Sequence, residues 1–120
     1  KARRVRKVFE GGMRQAGYLA AAAIYALDNH VERLQEDHEK AQVLKTALEQ
    51  CSWVESIEPV ETNIVIFYLK EGKDATEFSG KLKDEGILHT AMGQGKLRFV
   101  PHLDVSFEDI EKVAGLLRKM

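Results

Sequence analysis

Ile64-Val65-Ile66-Phe67-Tyr68-Leu69 is apolar throughout and rich in branched and aromatic residues. That is the pattern of a central β-strand covered on both faces. The chain around it is punctuated as a strand-and-helix domain would be. Upstream, Trp53 to Glu58 alternates loosely like a second strand, and Pro59, which has no backbone donor, ends it. Downstream, Glu71-Gly72 makes a turn. Asp74 with Glu77 three residues later has the form of a capping box, opening a helix that uses Ala75, Phe78 and Leu82 and stops at Gly86. Ile87 to Ala91 and Lys96 to Val100 then read as a hairpin around the turn Met92-Gly93-Gln94-Gly95. Pro101 ends it, and Ser106 with Asp109 caps a last helix with Ile110, Val113, Ala114 and Leu117 inward.

Before the strands the period changes. From Gly12 onward Met13, Ala16, Ala20, Ala23, Ile24, Leu27, Val31 and Leu34 recur mostly three or four apart, which is one face of a helix. Asp28-Asn29 interrupts the run, and Asn29 with Glu32 has capping-box form. A second helix is therefore expected from Asn29 through Ala41, Leu44 and Leu48 to about Gln50. The order is two helices, two strands, a helix, two strands and a helix. This predicts an α+β fold with a small, mostly antiparallel sheet. It divides into a helical segment over 1–50 and an α+β domain over 51–120.

The 120 residues suit one domain or a large piece of one. The lone Cys51 cannot form an internal disulfide, which points to a reducing compartment, and its setting before an apolar strand suits a small buried residue. The longest apolar stretch, Tyr18 to Leu27, is ten residues with five alanines, half of what a membrane span requires. No secretory leader is expected, because the basic start is not followed by an apolar core. Residues 1–14 carry six basic side chains against Glu10 alone, a balance of +5, so the remaining 106 residues sum to −6 within the net −1. A basic arm on an acidic body fits nucleic acid, an anionic ligand or a solvated face. The arm lacks interleaved aromatic residues, which argues against nucleic acid.

Two places could carry chemistry. Gly11-Gly12-Met13-Arg14-Gln15 precedes a long helix, with Arg6 and Lys7 just upstream. Glycines that admit close approach, free amides and basic side chains make a reasonable phosphate site. A glycine linker with surface basic residues explains the same spacing, and the residues alone favour it. Arg98 sits in the otherwise apolar Leu97-Arg98-Phe99-Val100, where alternation sets it on the face opposite Leu97 and Phe99. A guanidinium there needs a partner. An internal carboxylate such as Asp104 is the reading the residues favour; a substrate carboxylate is the other. His30, His38, His89 and His102 have no metal-ligand spacing, and His30 and His38 are expected at the surface.

Several blocks resemble the low-specificity L-threonine aldolases. They are Arg3 to Lys7, Gly11-Gly12-Met13-Arg14-Gln15-Ala16-Gly17, Leu19 to Ala22 with Ile24 to Leu27, and Val31 to Leu34 with Glu36-Asp37-His38. Glu61-Thr62-Asn63, Leu97 to Val100 and His102 to Ser106 complete a likeness over nearly the whole chain. The resemblance implies the C-terminal part of a fold type I pyridoxal-phosphate enzyme, comprising the end of the large domain and the small domain. The Schiff-base lysine would lie upstream, so no catalytic residue is expected within this chain, no metal is expected, and the chain alone is expected to be inactive. The implied activity is cleavage of L-threonine or L-allo-threonine to glycine and acetaldehyde, in a cytoplasmic homotetramer with shared active sites. By the same resemblance, Arg98 binds the substrate carboxylate, and Lys7 and Arg14 reach a neighbouring subunit's cofactor near its phosphate. A free-standing α+β interaction or regulatory module is the alternative. Two residues depart from the family pattern. Glu10 stands where a third glycine is expected, at a cost of about 1 kcal/mol if the backbone is left-handed there. Pro101 replaces a usual threonine, removing a donor and a hydroxyl beside Arg98.

Overall fold

The computed structural model describes residues 1–93 and 95–120, so Gln94, in the expected hairpin turn, lies outside the described residues. The chain forms two compact units, Lys1–Arg33 and Leu34–Met120. The second long helix belongs to the second unit, where it buries its apolar face with the sheet.

The first unit opens with a helix absent from the expected order, α1 (Ala2–Val8), with Arg6 and Lys7 in its last turn, where cations complement the helix dipole. Its end is a Schellman closure. The Gly11 amide donates to the Arg6 carbonyl at 2.8 Å and the Glu10 amide to the Lys7 carbonyl at 3.2 Å. Glu10 takes the left-handed position of that motif, with φ 58°. Helix α2 (Gly17–Asn29) starts later than Gly12, since Gln15 at φ 51° keeps the preceding turn out of the helix. Asn29 does not cap a following helix. It is the last residue of α2, and its Nδ2 donates to the Tyr25 carbonyl at 2.8 Å. No residue of α1 or α2 is buried.

The second unit runs α3 (Leu34–Glu49), β1 (Val54–Ile57), β2 (Val65–Leu69), α4 (Ala75–Asp84), β3 (Thr90–Ala91), β4 (Lys96–Phe99) and α5 (Phe107–Leu117). The strands form one antiparallel sheet in the order β1-β2-β4-β3, as the α+β expectation required. Residues of β2 alternate strictly. Val65, Phe67 and Leu69 are buried, whereas Ile66 and Tyr68 are half-buried. With Leu97 and Phe99 of β4 they form one core with Leu44 and Leu48 of α3, Leu82 of α4, and Ile110 and Leu117 of α5. The expectation that β2 is covered on both faces is therefore corrected: within this unit its helices cover one face, and the other remains half-open.

Local signals set the boundaries of the remaining elements. Ser106 and Asp109 close a full capping box on α5. Asp74 caps α4 by accepting from the amides of Thr76 and Glu77, but Glu77 turns to Lys81 at 2.7 Å instead of reaching back. Helix α4 ends in a second Schellman closure, with the Gly86 amide on the Lys83 carbonyl at 2.9 Å and the Ile87 amide on the Leu82 carbonyl at 2.8 Å. Gly86 stands at φ 77°, where a side chain would be strained. Because that closure takes the Ile87 amide, β3 shrinks from the expected five residues to two. Cys51 is buried as expected, its Sγ 3.2 Å from the Ala47 carbonyl and 3.3 Å from that of Leu117. Burial pushes its thiol pKa up, against a smaller opposing effect of Arg118.

Candidate functional site

The half-open face of the sheet carries two cations in very different settings. Antiparallel pairing sets Tyr68 opposite Lys96 and Ile66 opposite Arg98, so all four side chains share this face. Lys96 has a complete local partnership. Its Nζ donates to Glu58 Oε1 at 2.8 Å, the Tyr68 hydroxyl donates to the same oxygen at 2.7 Å, and the ammonium lies 5.2 Å from the Tyr68 ring centre. The hydrogen bond from Lys96, then that from Tyr68, holds the Glu58 carboxyl below its ordinary pKa. Bonding to Glu58, then to Tyr68, holds Lys96 above its own.

Arg98, two residues along the same strand, has no carboxylate partner among the described residues. Its Nη2 donates to Thr90 Oγ1 at 3.4 Å, a long hydrogen bond to a neutral hydroxyl. Its Nε is buried and unpaired. An unsatisfied buried donor costs about 1–3 kcal/mol, more when it belongs to a charged group. This position therefore suits an anion able to accept from a planar fork of N–H groups. The favoured internal partner, Asp104, is not there. Its carboxylate lies 3.7 Å from His102 Nδ1, and its amide donates to that same nitrogen at 3.3 Å. Proximity in sequence misdirects at this point, because the turn after Pro101 carries Asp104 off the strand.

The segment after Arg98 is anchored from two other elements. Asn63 Nδ2 donates to the Pro101 carbonyl at 2.8 Å. The buried Lys40 of α3 bonds Asp37 at 3.2 Å and reaches the His102 carbonyl at 3.4 Å. Proline at 101 thus keeps the acceptor that ties this segment to the start of β2.

Lys7 and Arg14 belong to the other unit. Both are exposed, and neither has a carboxylate partner among the described residues. Arg14 lies in the turn before α2 and not in its first helical turn. The glycine pair has a steric reason. A Cβ on Gly11 would lie 2.7 Å from Arg6 Cγ and 3.0 Å from the Arg6 carbonyl oxygen, and one on Gly12 would lie 3.2 Å from Lys7 Nζ. The Lys7 ammonium thus rests over bare backbone at Gly12.

Sequence reasoning missed Thr90 and the hydrogen bond at 2.8 Å between Ser79 Oγ and His89 Nε2. His30 and His38 are half-buried and not fully at the surface. A groove of about 500 Å³ lies among Leu44, Ile87, Phe99, Val105 and Ile110, and neither Arg98, Lys7 nor Arg14 lines it. No helix among the described residues is long and apolar enough to cross a membrane, and no cluster of three or more His, Cys, Asp or Glu there could hold a metal.

Comparison with known proteins adds the context. The family model for beta-eliminating lyases matches residues 1–72. The Arabidopsis thaliana protein named probable low-specificity L-threonine aldolase 2 is 37% identical over 123 residues, covering 100% of this chain and 35% of that protein. The Escherichia coli K12 low specificity L-threonine aldolase is 40% identical over 115 residues, covering 96% of this chain and 33% of that protein. The Candida albicans low-specificity L-threonine aldolase is 29% identical over 113 residues, covering 94% of this chain and 29% of that protein. The chain thus spans about a third of the length of the curated relatives it matches.

Proposed function

The chain belongs to the beta-eliminating lyase family, and on that premise we propose that it is the C-terminal part of a pyridoxal-phosphate-dependent threonine aldolase. The parent protein cleaves L-threonine or L-allo-threonine to glycine and acetaldehyde. The observation that carries this reading is Arg98, whose buried Nε has no partner on a half-open sheet face where Lys96 is fully paired. Similarity to proteins named threonine aldolases along essentially the whole chain supports the same assignment.

In this reading Arg98 binds the substrate α-carboxylate through its guanidinium fork and orients the amino acid. Lys7 and Arg14 supply positive charge to the cofactor phosphate of a neighbouring subunit, with the Gly11-Gly12 backbone allowing close approach. Pyridoxal phosphate, when bound, supplies the electron sink for breaking the Cα–Cβ bond. The chain's contribution is binding and orientation; the lysine that carries the cofactor belongs to the preceding part of the protein.

Helix α2 supports assembly with further protein. It is apolar around its circumference, yet Tyr18 is 94% exposed and Leu27 68%. Such helices are normally buried. Here the large domain and a homotetramer would supply the cover. The unpaired, buried Cys51 suits a reducing compartment such as the cytoplasm.

The test is a product assay. The full-length polypeptide carrying this chain, loaded with pyridoxal phosphate, should release glycine and acetaldehyde from L-threonine. The 120-residue chain with added cofactor should not turn over. Absence of aldol cleavage by the full-length protein, or sustained turnover by the chain alone, would overturn the proposal.

A further inference from the structure

Arg98 can present its guanidinium to a ligand only if something fixes where the flexible side chain points. No carboxylate does so among the described residues. The side-chain group bonded to it is the Thr90 hydroxyl, at 3.4 Å from Nη2. Thr90 stands directly across the β3–β4 ladder from Arg98, so the two side chains share the half-open face. We infer that Thr90 is the positioning residue for the Arg98 guanidinium and thereby sets how tightly a substrate carboxylate is held. This rests on the reading of Arg98 proposed above and deepens it.

Three features support a positioning role. First, β3 is only two residues long and exposed, yet it is pinned from the preceding loop. There His89 Nε2 and Ser79 Oγ of α4 are 2.8 Å apart, and the His89 ring stands edge-on to Phe99 at 6.3 Å between centres. The backbone that carries Thr90 is therefore held from two sides, by the β4 ladder and by His89. Second, a hydroxyl accepts a guanidinium proton without cancelling its charge. Lys96 shows the contrast on the same face, since Glu58 pairs with its ammonium directly. A neutral acceptor orients Arg98 while leaving its charge for an incoming anion. Third, Arg98 Nε is buried without a partner, so the Nη2 bond to Thr90 is the side-chain bond, among the described residues, that fixes the guanidinium.

The experiment uses the full-length protein loaded with pyridoxal phosphate, with glycine as the carboxylate probe, binding measured by calorimetry, and KM and kcat measured for L-threonine. Thr90→Ala is expected to weaken glycine binding and raise KM by about two- to tenfold, the range for losing one long, exposed hydrogen bond, with kcat little changed. Thr90→Ser should restore wild-type values. On an Arg98→Ala background, Thr90→Ala should add nothing. Thr90→Asp should weaken glycine binding more than Thr90→Ala, because its carboxylate would compete for the guanidinium. If Arg98→Ala weakens glycine binding while Thr90→Ala leaves it unchanged, Thr90 has no positioning role and the Arg98 assignment stands. If Thr90→Ala weakens binding equally with and without Arg98, Thr90 does not act through Arg98. If Arg98→Ala leaves glycine binding unchanged, the carboxylate assignment fails first, and this inference with it.

Discussion

The two Schellman closures in this chain use different residues at the same left-handed position, and replacing Glu10 with glycine tests what that difference is worth. Helix α4 closes through Gly86 at φ 77°, and α1 closes through Glu10 at φ 58°, with the same pair of backbone hydrogen bonds in each. A non-glycine residue in this region costs about 1–2 kcal/mol. Glycine gives back roughly 0.5–1 kcal/mol through its greater freedom in the open chain. Removing a carboxylate from the negative end of α1 adds a smaller gain of the same sign. The net expectation for Glu10→Gly is stabilisation of the α1 terminus by about 1 kcal/mol, or roughly a fivefold change in its local opening constant. Helix α1 has only seven residues and none is buried, so little else holds it and the cap should dominate its population. The assay is hydrogen exchange at the Gly11 amide, which bonds the Arg6 carbonyl at 2.8 Å. Protection there should rise about fivefold. Gly86→Ala is the reciprocal control and should lower protection at the Ile87 amide by a similar factor. Unchanged or reduced protection in Glu10→Gly, with a loss in Gly86→Ala, would show that the geometry at Glu10 is not strained.

Other outcomes follow from the second unit. Glu58 has a depressed pKa in the folded state, so its contribution is present above the unfolded value near 4.5 and lost as pH falls through the folded value. Glu58→Gln should therefore flatten the decline of stability below about pH 4.5 in urea melts, and an unaltered acid limb would contradict that. Cys51 is buried with a raised thiol pKa, so iodoacetamide at pH 8 should label it slowly in the native chain and rapidly in denaturant; equal rates would contradict the packing. Leu97 is fully buried on the covered face, so Leu97→Ala should destabilise by about 2–5 kcal/mol in urea titration. A loss well under that range would mean that the core is not organised around β4.

The parts of the fold that sequence makes legible are those written locally. Ser106 and Asp109 close the expected box on α5, and alternation correctly sets Arg98 opposite Leu97 and Phe99. Features decided by non-local pairing were not legible. Helix α1 is a different case: it is local, but nothing in Lys1 to Val8 has the periodic apolar face that announces a helix. A continuous apolar run does not say which of its faces stays open, so the sequence of β2 cannot distinguish one covered face from two. The partner of Arg98 depended on the register that sets Thr90 across the ladder from it. Sequence proximity suggested Asp104, which turns to His102 instead. The capping pattern at Asn29 misled for a related reason: its amide closes the helix behind it.

The most direct test of the central claim is kcat/KM for L-threonine in the full-length, cofactor-loaded protein carrying Arg98→Lys. Lysine keeps the positive charge but lacks the planar fork. If Arg98 holds the substrate carboxylate, kcat/KM should fall roughly tenfold to hundredfold, with cofactor occupancy and secondary structure unchanged. A value within about twofold of the parent would contradict the assignment and leave the buried Nε of Arg98 without a functional partner.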